Sequence, residues 1–436
     1  MGIVNSPLHL AAWSAALRSH PDTEFARYLL AGIQHGFRIG FNYRTHSCHP
    51  AKHNLPSAKD HPQIISEYLN SELTKGRMLG PFPVCAIPHI QINRVGVIPK
   101  KTPGKWRLIT DLSFPYGKSV NDGINPDITS LTYIRVDDVA QQVITLGRGA
   151  MIAKTDIEAA YRLLPIHNDD KHLLGMLWEG RVYIDTALPF GLRSAPLIFT
   201  ALADGLEWVL KQRGVSYVAH YLDDFITVGP PSSDQCHRNQ TILFDTCREL
   251  GVPLAPHKSV GLTTCLVFLG IEIDSRAMEL RLPQDKLQAL KELLKEWQLK
   301  TVCSKEQLES LLGHLNHACS VVKPGRSFVS RLISLLSEAK KKHRNVSRMN
   351  VQARSDIQWW HAFVESWNGV SILRHVKLTA PDHEVWSDAS GSWGAGAFWT
   401  SEWFQLQWFP PLSDQQIAIK EFIPTVLASA LWGDQC

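Results

Sequence analysis

Residues 218–228 read VAHYLDDFITV, and their reading decides the fold. Two apolar, β-prone runs flank Asp223-Asp224, which predicts a tight hairpin with both carboxylates at its turn. Adjacent carboxylates on a bend between buried strands are costly unless positive charge faces them. A divalent cation meets that need, and oxygen-only ligation favours Mg²⁺, with Mn²⁺ an alternative. The rival reading is a surface hairpin whose Asp-Asp is plain turn chemistry. A third acid at the end of another apolar strand decides between them. Residues 151–161, MIAKTDIEAAY, supply it as a strand running into a turn with Asp156 at its end. Three acids so placed can bind two Mg²⁺ ions about 4 Å apart, the arrangement that drives in-line phosphoryl transfer.

Upstream, residues 94–107, RVGVIPKKTPGKWR, carry five cationic residues and no acid. Thr102-Pro103-Gly104 is a turn between apolar-flanked arms, so Lys100, Lys101, Lys105 and Arg107 decorate one β-hairpin. Such a hairpin suits a polyphosphate, which Lys meets as a point charge and Arg grips bidentately. Residues 137–146 read as a helix feeding the next strand.

Taken together, these stretches resemble the reverse transcriptases of retroelements, whose palm domain carries an Asp-x-x-x-x-aromatic strand end and a Tyr-x-Asp-Asp hairpin. Asp156 with Tyr161, and Tyr221-Leu222-Asp223-Asp224, stand at those positions. The resemblance covers roughly residues 90–275, through several blocks in the family's order. It implies metal ligation and catalysis by Asp156, Asp223 and Asp224, and triphosphate binding by Lys100 and Arg107. It implies that Tyr161 lies under the nucleotide sugar and excludes a 2′-hydroxyl. Leu188-Pro189-Phe190-Gly191, with Ser194-Ala195-Pro196 and Phe199, resembles the loop and helix under the incoming base pair. Lys258 resembles the palm lysine that protonates pyrophosphate, and Phe268-Leu269-Gly270 the hairpin that grips the primer end. Phe190 departs from the glutamine of retroviral enzymes, which points to a retrotransposon branch. The runs at 20–22 (HPD), 36–41 (GFRIGF) and 175–178 (GMLW) look most like DIRS-type, tyrosine-recombinase elements.

Length and composition bound the remainder. The 436 residues allow two or three domains, and 44% apolar with 20% charged residues is ordinary globular material. A net charge of +4 confines any nucleic-acid affinity to local patches. Eight cysteines without paired spacing point to a reducing, intracellular compartment, cytoplasm or nucleus. No apolar run is long enough to span a membrane and no secretory signal opens the chain. Met1-Gly2 with Ser6 matches an acylation pattern by chance. Residues 9–36 have helical spacing, with Leu17, Phe25, Tyr28 and Leu29 as core positions and a break at His20-Pro21-Asp22. Residues 62–78 read as another helix, closed by Gly80-Pro81. The histidines and cysteines at 46–61 and 303–319 lack the spacing of zinc ligands.

Beyond the acids, Leu287, Leu290, Leu294 and Trp297 form one helical stripe, and Leu308, Leu311, Leu312 and Leu315 another. These helices resemble a polymerase thumb, and the basic run at 340–344 is either a phosphate contact or a solvated face. Residues 385–398, VWSDASGSWGAGAF, resemble the opening strands of a ribonuclease H fold, with Asp388 as its first acid and Glu421 on a following helix as its second.

The fold class expected is therefore α+β: a right-hand polymerase of fingers, palm and thumb, followed by a partial ribonuclease H-like α/β domain. The expected boundaries are a helical extension at 1–80, fingers and palm at 81–274, thumb at 275–345, connector at 346–380 and the incomplete domain at 381–436. The implied partners are an RNA template, a DNA primer, their hybrid and deoxynucleoside triphosphates. The alternatives are an inactive remnant that only binds nucleic acid, and a ribonuclease H-type hydrolase of RNA–DNA hybrids. With two of its acids but no later one, the carboxy-terminal part is not expected to cleave hybrid RNA. Purified chain incubated with labelled hybrid should leave the RNA strand intact. Cleavage that disappears in Asp388→Asn would contradict this and assign the missing ligand to Asp382, Glu384 or Asp434.

Overall fold

The computed structural model describes residues 6–84, 87, 89–100, 104–342, 345–371 and 384–433. Lys101, Thr102 and Pro103 of the basic hairpin lie outside the described residues, as do Met1-Gly2, His343-Arg344, Asp382 and Asp434. The chain divides into two compact units, Met1–Ile372 and Leu373–Cys436.

Two helices come first, α1 (Leu10–Ala16) and α2 (Thr23–His35), parted at His20-Pro21-Asp22 as the sequence predicts. The Asp22 carboxylate accepts from the Glu24 and Phe25 backbone N–H groups and so caps α2. Leu17 and Leu29 are buried, whereas Tyr28 is 45% exposed, against its expected place in the core. One residue is about 100° of helix, so Tyr28 faces away from the stripe that Leu29 follows; its ring meets Phe37 edge-on. After α3 (Pro56–Asp60) comes α4 (Pro62–Thr74). The helix expected over 62–78 stops at Thr74, and Gly80-Pro81 lies inside strand β1 (Met78–Pro83) rather than closing a helix. Pairing of Met78 opposite Asp185 gives this stretch its backbone partners and overrides the helical pattern.

The basic hairpin is β2 (Ile92–Pro99) and β3 (Trp106–Asp111). Then follow α5 (Val136–Leu146), β4 (Met151–Asp156), β5 (Gly175–Trp178), β6 (Arg181–Asp185), α6 (Ala195–Gln212), β7 (Val218–Tyr221), β8 (Asp224–Gly229), α7 (Gln235–Leu250) and β9 (Val260–Thr263). Two sheets result, in the orders β1-β6-β5-β2-β3 and β7-β8-β4-β9. In the first, Val95, Val97 and Leu108 pack against Ile65 and Leu69 of α4. In the second, β8 and β4 are central and buried on both faces, which explains their nearly continuous apolar sequence. Val218 and Phe225 face a core shared with α6 and α7, and Ile152, Ile226 and Val228 face one shared with α5. Trp13, Leu29 and Phe37 enter the first of these cores beside Phe199 and Leu206 of α6, and Trp13 Nε1 donates to the Leu250 carbonyl at 3.0 Å.

Strands β10 (Cys265–Phe268), β11 (Ile271–Asp274) and β12 (Glu279–Arg281) precede α8 (Gln284–Leu299), β13 (Val302–Ser304), α9 (Lys305–Ala318), α10 (Ser330–Lys341), β14 (Val346–Arg348), α11 (Val351–Ser366) and β15 (Val370–Ser371). Both predicted leucine stripes are buried, and Ile357 and Trp360 of α11 join the same core. The basic run is partly neutralised, with Lys340 2.9 Å from Glu309 and Lys342 paired to Glu338.

The second unit has β16 (Val385–Ala389), β17 (Gly394–Trp399) and β18 (Glu402–Gln407) in an antiparallel sheet with α12 (Ile417–Trp432). Ala397 and Trp399 of the sheet pack on Ala428 and Trp432 of α12.

Leu29 is fully buried. Leu29→Ala is expected to lower the stability of the larger unit by about 2–5 kcal/mol, the range for a leucine removed from a packed core. Urea unfolding measures this; a change within about 0.5 kcal/mol, as at surface sites, would place α2 outside the core.

Candidate active site

The three acids meet at the end of the second sheet. Asp156 is the last residue of β4 and stands opposite Asp224, the first residue of β8. In an antiparallel pair, residues in register put their side chains on the same face, close together. Tyr221 pairs with Asp224, so Leu222 and Asp223 alone make the β7–β8 turn. Asp223 thus sits at the turn as expected, and Asp224 just inside the strand. The Ile157 N–H donates to the Asp223 carbonyl at 3.0 Å, which fixes the turn against the strand end that bears Asp156.

Two lysines offset this negative charge. Lys258 Nζ lies 3.0 Å from Asp156 Oδ1, and Lys154 Nζ lies 3.3 Å from Asp224 Oδ1. Asp156 is only 7% exposed, and its backbone N–H donates to Ser259 Oγ at 3.2 Å. Burial, together with the charges of Asp156 and Asp224, holds the Asp223 carboxyl above the usual carboxylate range, although Lys258 acts the other way. Among the described residues, no group of three or more His, Cys, Asp or Glu side chains converges as a ready metal site. That holds for the clusters at 46–61 and 303–319 as well as for the three aspartates, two of which turn towards their lysines. The aspartates nonetheless fit a hard divalent cation. Their donors are all carboxylate oxygens, and their mutual repulsion is what such an ion relieves.

Tyr161 follows on a 3₁₀ turn, residues 160–163, five residues past Asp156. Its ring lies 5.3 Å from Phe190 and 5.8 Å edge-on from Phe199. Burial, with Tyr133, Asp223 and Tyr221 nearby, pushes its hydroxyl up to about 12. Arg107 also reaches Phe190, its Cζ 5.4 Å from the ring centroid, a cation–π contact. Pairing of Ile98 with Arg107, and a 2.8 Å bond from Lys100 N–H to the Lys105 carbonyl, set Lys100, Lys105 and Arg107 on one face of the hairpin. Gly191 has φ +92°, and a Cβ there would come 2.7 Å from the Thr110 carbonyl of β3. Only glycine lets the loop approach the hairpin so closely. Asn121 Nδ2 donates to the Gly191 carbonyl at 2.8 Å and holds it there.

Phe268, Leu269 and Gly270 lie apart from this group, on the β10–β11 hairpin. Leu269 and Gly270 have φ +49° and +77°, a type I′ turn, and Phe268 is buried beneath it. Lys286 of α8 donates to the Gly270 carbonyl at 3.2 Å.

Asp388 lies on β16 and Glu421 on α12. Ser387 Oγ bonds Thr425 Oγ1 of α12 at 2.9 Å, and Ala395 and Ala397, opposite Ala389 and Ser387, are buried on that face. Strand alternation therefore turns Asp388 to the opposite face of the sheet from the helix that carries Glu421.

Lys154 and Arg162 were missed in the sequence. Lys154 had a signal, since residues two apart in a strand share a face and Asp156 was already placed. Arg162 had none, because its partners come from α4 and from the segment after β5.

Residues 98–273 match the family described as reverse transcriptase (RNA-dependent DNA polymerase). The Pro-Pol polyprotein of feline foamy virus is 25% identical over 291 residues, 67% of this chain and 22% of that protein. The retrovirus-related Pol polyprotein from transposon 412 of Drosophila melanogaster is 28% identical over 199 residues, 44% of this chain and 14% of that protein. The chain thus spans under a quarter of the length of these relatives. Among solved structures, foamy viral protease-reverse transcriptase in complex with double-stranded DNA aligns with a TM-score of 0.59 at 16% identity, over 97% of this chain and 72% of that one. The same protein in complex with an RNA/DNA hybrid aligns at 0.57 and 15%, over 100% and 57%. The fold is that of a right-hand polymerase. More particularly, residues 98–273 are similar to the reverse transcriptase domain found in retroviral and retroelement Pol polyproteins.

The raised Asp223 carboxyl has a consequence for stability. A carboxyl whose folded value exceeds its unfolded one destabilises the folded state above that folded value, and the effect fades as pH falls below the unfolded value. In metal-free buffer at pH 8, Asp223→Asn is therefore expected to raise the unfolding midpoint, with the gain vanishing towards pH 3. A midpoint that is lower, or raised equally at all pH values, would contradict the repulsion described.

Proposed function

We propose that the chain is the RNA-directed DNA polymerase of a retrotransposon, adding deoxynucleotides to the 3′-hydroxyl of a primer paired to an RNA template. The observation that carries this reading is the register that sets Asp156 opposite Asp224 with Asp223 at the adjoining turn, together with the contacts of Tyr161 and Arg107 to the Phe190 ring. Asp156 and Asp223, supported by Asp224, would hold two Mg²⁺ ions, or Mn²⁺. When bound, these supply a lowered pKa at the attacking hydroxyl and charge stabilisation at the leaving pyrophosphate.

The chain's own side chains do the rest. Lys100 and Arg107 bind the triphosphate from the hairpin. Tyr161 closes the pocket against a 2′-hydroxyl, with Phe190 and Gly191 under the incoming base. Lys258, already 3.0 Å from Asp156, is placed to give a proton to pyrophosphate once a cation takes over that carboxylate. Phe268, Leu269 and Gly270 hold the primer end. In this reading residues 81–274 are fingers and palm, 275–345 the thumb and 346–380 a connector. Residues 1–80 are a helical extension whose first helices serve the palm core.

Residues 381–436 are ribonuclease H-like, and the element belongs to a DIRS-like branch. The placement of Asp388 away from α12 speaks against hybrid hydrolysis by this chain.

Extension of a DNA primer on an RNA template with Mg²⁺ tests the proposal. Asp223→Asn should lower incorporation by about a hundredfold or more while hybrid binding persists. Arg107→Ala and Lys100→Ala should each raise KM for the triphosphate by about tenfold to a hundredfold, the value of a charge-assisted contact. Tyr161→Val should raise ribonucleotide use. Unimpaired extension by Asp223→Asn, or no extension by the unaltered chain, would refute the reading.

A further inference from the structure

We infer that Arg162 is a positioning residue for sugar selection, and that it acts through Tyr161 and Phe190 with Glu72 of α4 as its partner. The inference rests on the polymerase reading above and adds to it residues outside the pocket. Arg162 follows Tyr161 on the same 3₁₀ turn, yet it is 5% exposed and points inward. Its Nε and Nη2 both lie 2.9 Å from Glu72 Oε2. Its Nη1 lies 2.7 Å from Asp185 Oδ1 and donates to the Ala187 carbonyl at 2.9 Å. Glu72 and Asp185 are themselves 4% and 3% exposed.

One guanidinium therefore ties the Tyr161 turn to two segments distant in sequence: α4, and the end of β6 with the stretch that leads from Ala187 to Phe190. The last of these is also stitched to the Tyr161 turn by Leu188 N–H, which donates to the Leu164 carbonyl at 3.0 Å. The two aromatic walls, whose centroids stand 5.3 Å apart, thus project from two segments that Arg162 holds at a fixed separation. A planar fork with fixed donor directions suits this task, and a lysine ammonium lacks it. Loss of the fork, or of one carboxylate, leaves a buried charge without its partner, and the attached segments shift to relieve it. Arg77 and Lys75 also lie 3.9 and 3.5 Å from Glu72 Oε1.

A purely structural ion cluster would change the amount of folded protein and scale incorporation of every nucleotide alike. A positioning role changes the ratio between them, which is independent of the folded fraction. The test is single-nucleotide incorporation by the full chain on a primed RNA template, with a deoxyribonucleoside and a ribonucleoside triphosphate of the same base. Glu72→Gln, which keeps the shape but not the charge, and Arg162→Lys, which keeps the charge but not the fork, should each lower the deoxyribo-to-ribo ratio of kcat/KM by roughly tenfold, mainly through KM for the ribonucleotide. In a Tyr161→Val background, Glu72→Gln should change the ratio no further, because the group it acts through is gone. An unchanged ratio in both single variants, loss of incorporation for both sugars together, or an additive effect on top of Tyr161→Val would each overturn the inference. Absence of any extension by the unaltered chain is a different result, and it would remove the polymerase reading itself.

Discussion

Repulsion between carboxylates that the sheet forces together is the constraint on which the rest of the larger unit depends. The register of β4 against β8 sets Asp156 opposite Asp224, and the two-residue turn before β8 brings Asp223 alongside. A slip of one residue would send every side chain of β8 to the other face. That slip is blocked by burial on both sides, with Phe225 in one core and Ile226 and Val228 split from it by the pleat. Two large cores thus serve to hold three acids where they repel one another. Lys154 and Lys258 lessen that repulsion in the absence of a cation, and both lie on or beside the strands that create it.

From this centre a chain of aromatic and cationic contacts extends outward. Tyr161 touches Phe190, Phe190 lies under Arg107, and Arg107 belongs to a hairpin in the other sheet. The close approach at Gly191 and the bond from Asn121 keep that sheet against the loop. Behind the pocket, the Arg162 cluster joins α4 to the same walls, so helices that precede the polymerase blocks in sequence contribute to their geometry.

Much of this was legible in the sequence because it is local. A hairpin with acids at its turn, a strand ending in Asp156 and two leucine stripes each follow from a period of two or 3.6 residues, and each formed as read. The misreadings share a different cause. Residues 75–78 looked helical by pattern, but pairing with β6 made β1 out of the stretch that follows. Tyr28 looked apolar enough for the core but stands one position off the buried stripe. Arg162 was invisible because the acids that explain it lie 90 and 23 positions away, on elements whose packing no local period reveals.

The proposed cation site of Asp156, Asp223 and Asp224 carries a charge that the two lysines only partly offset. Titration of Mn²⁺ into the intact chain, followed by electron paramagnetic resonance, tests it most directly. The account predicts saturable binding by the unaltered chain that is lost in Asp156→Asn. Binding of equal affinity and stoichiometry in the two proteins would contradict it.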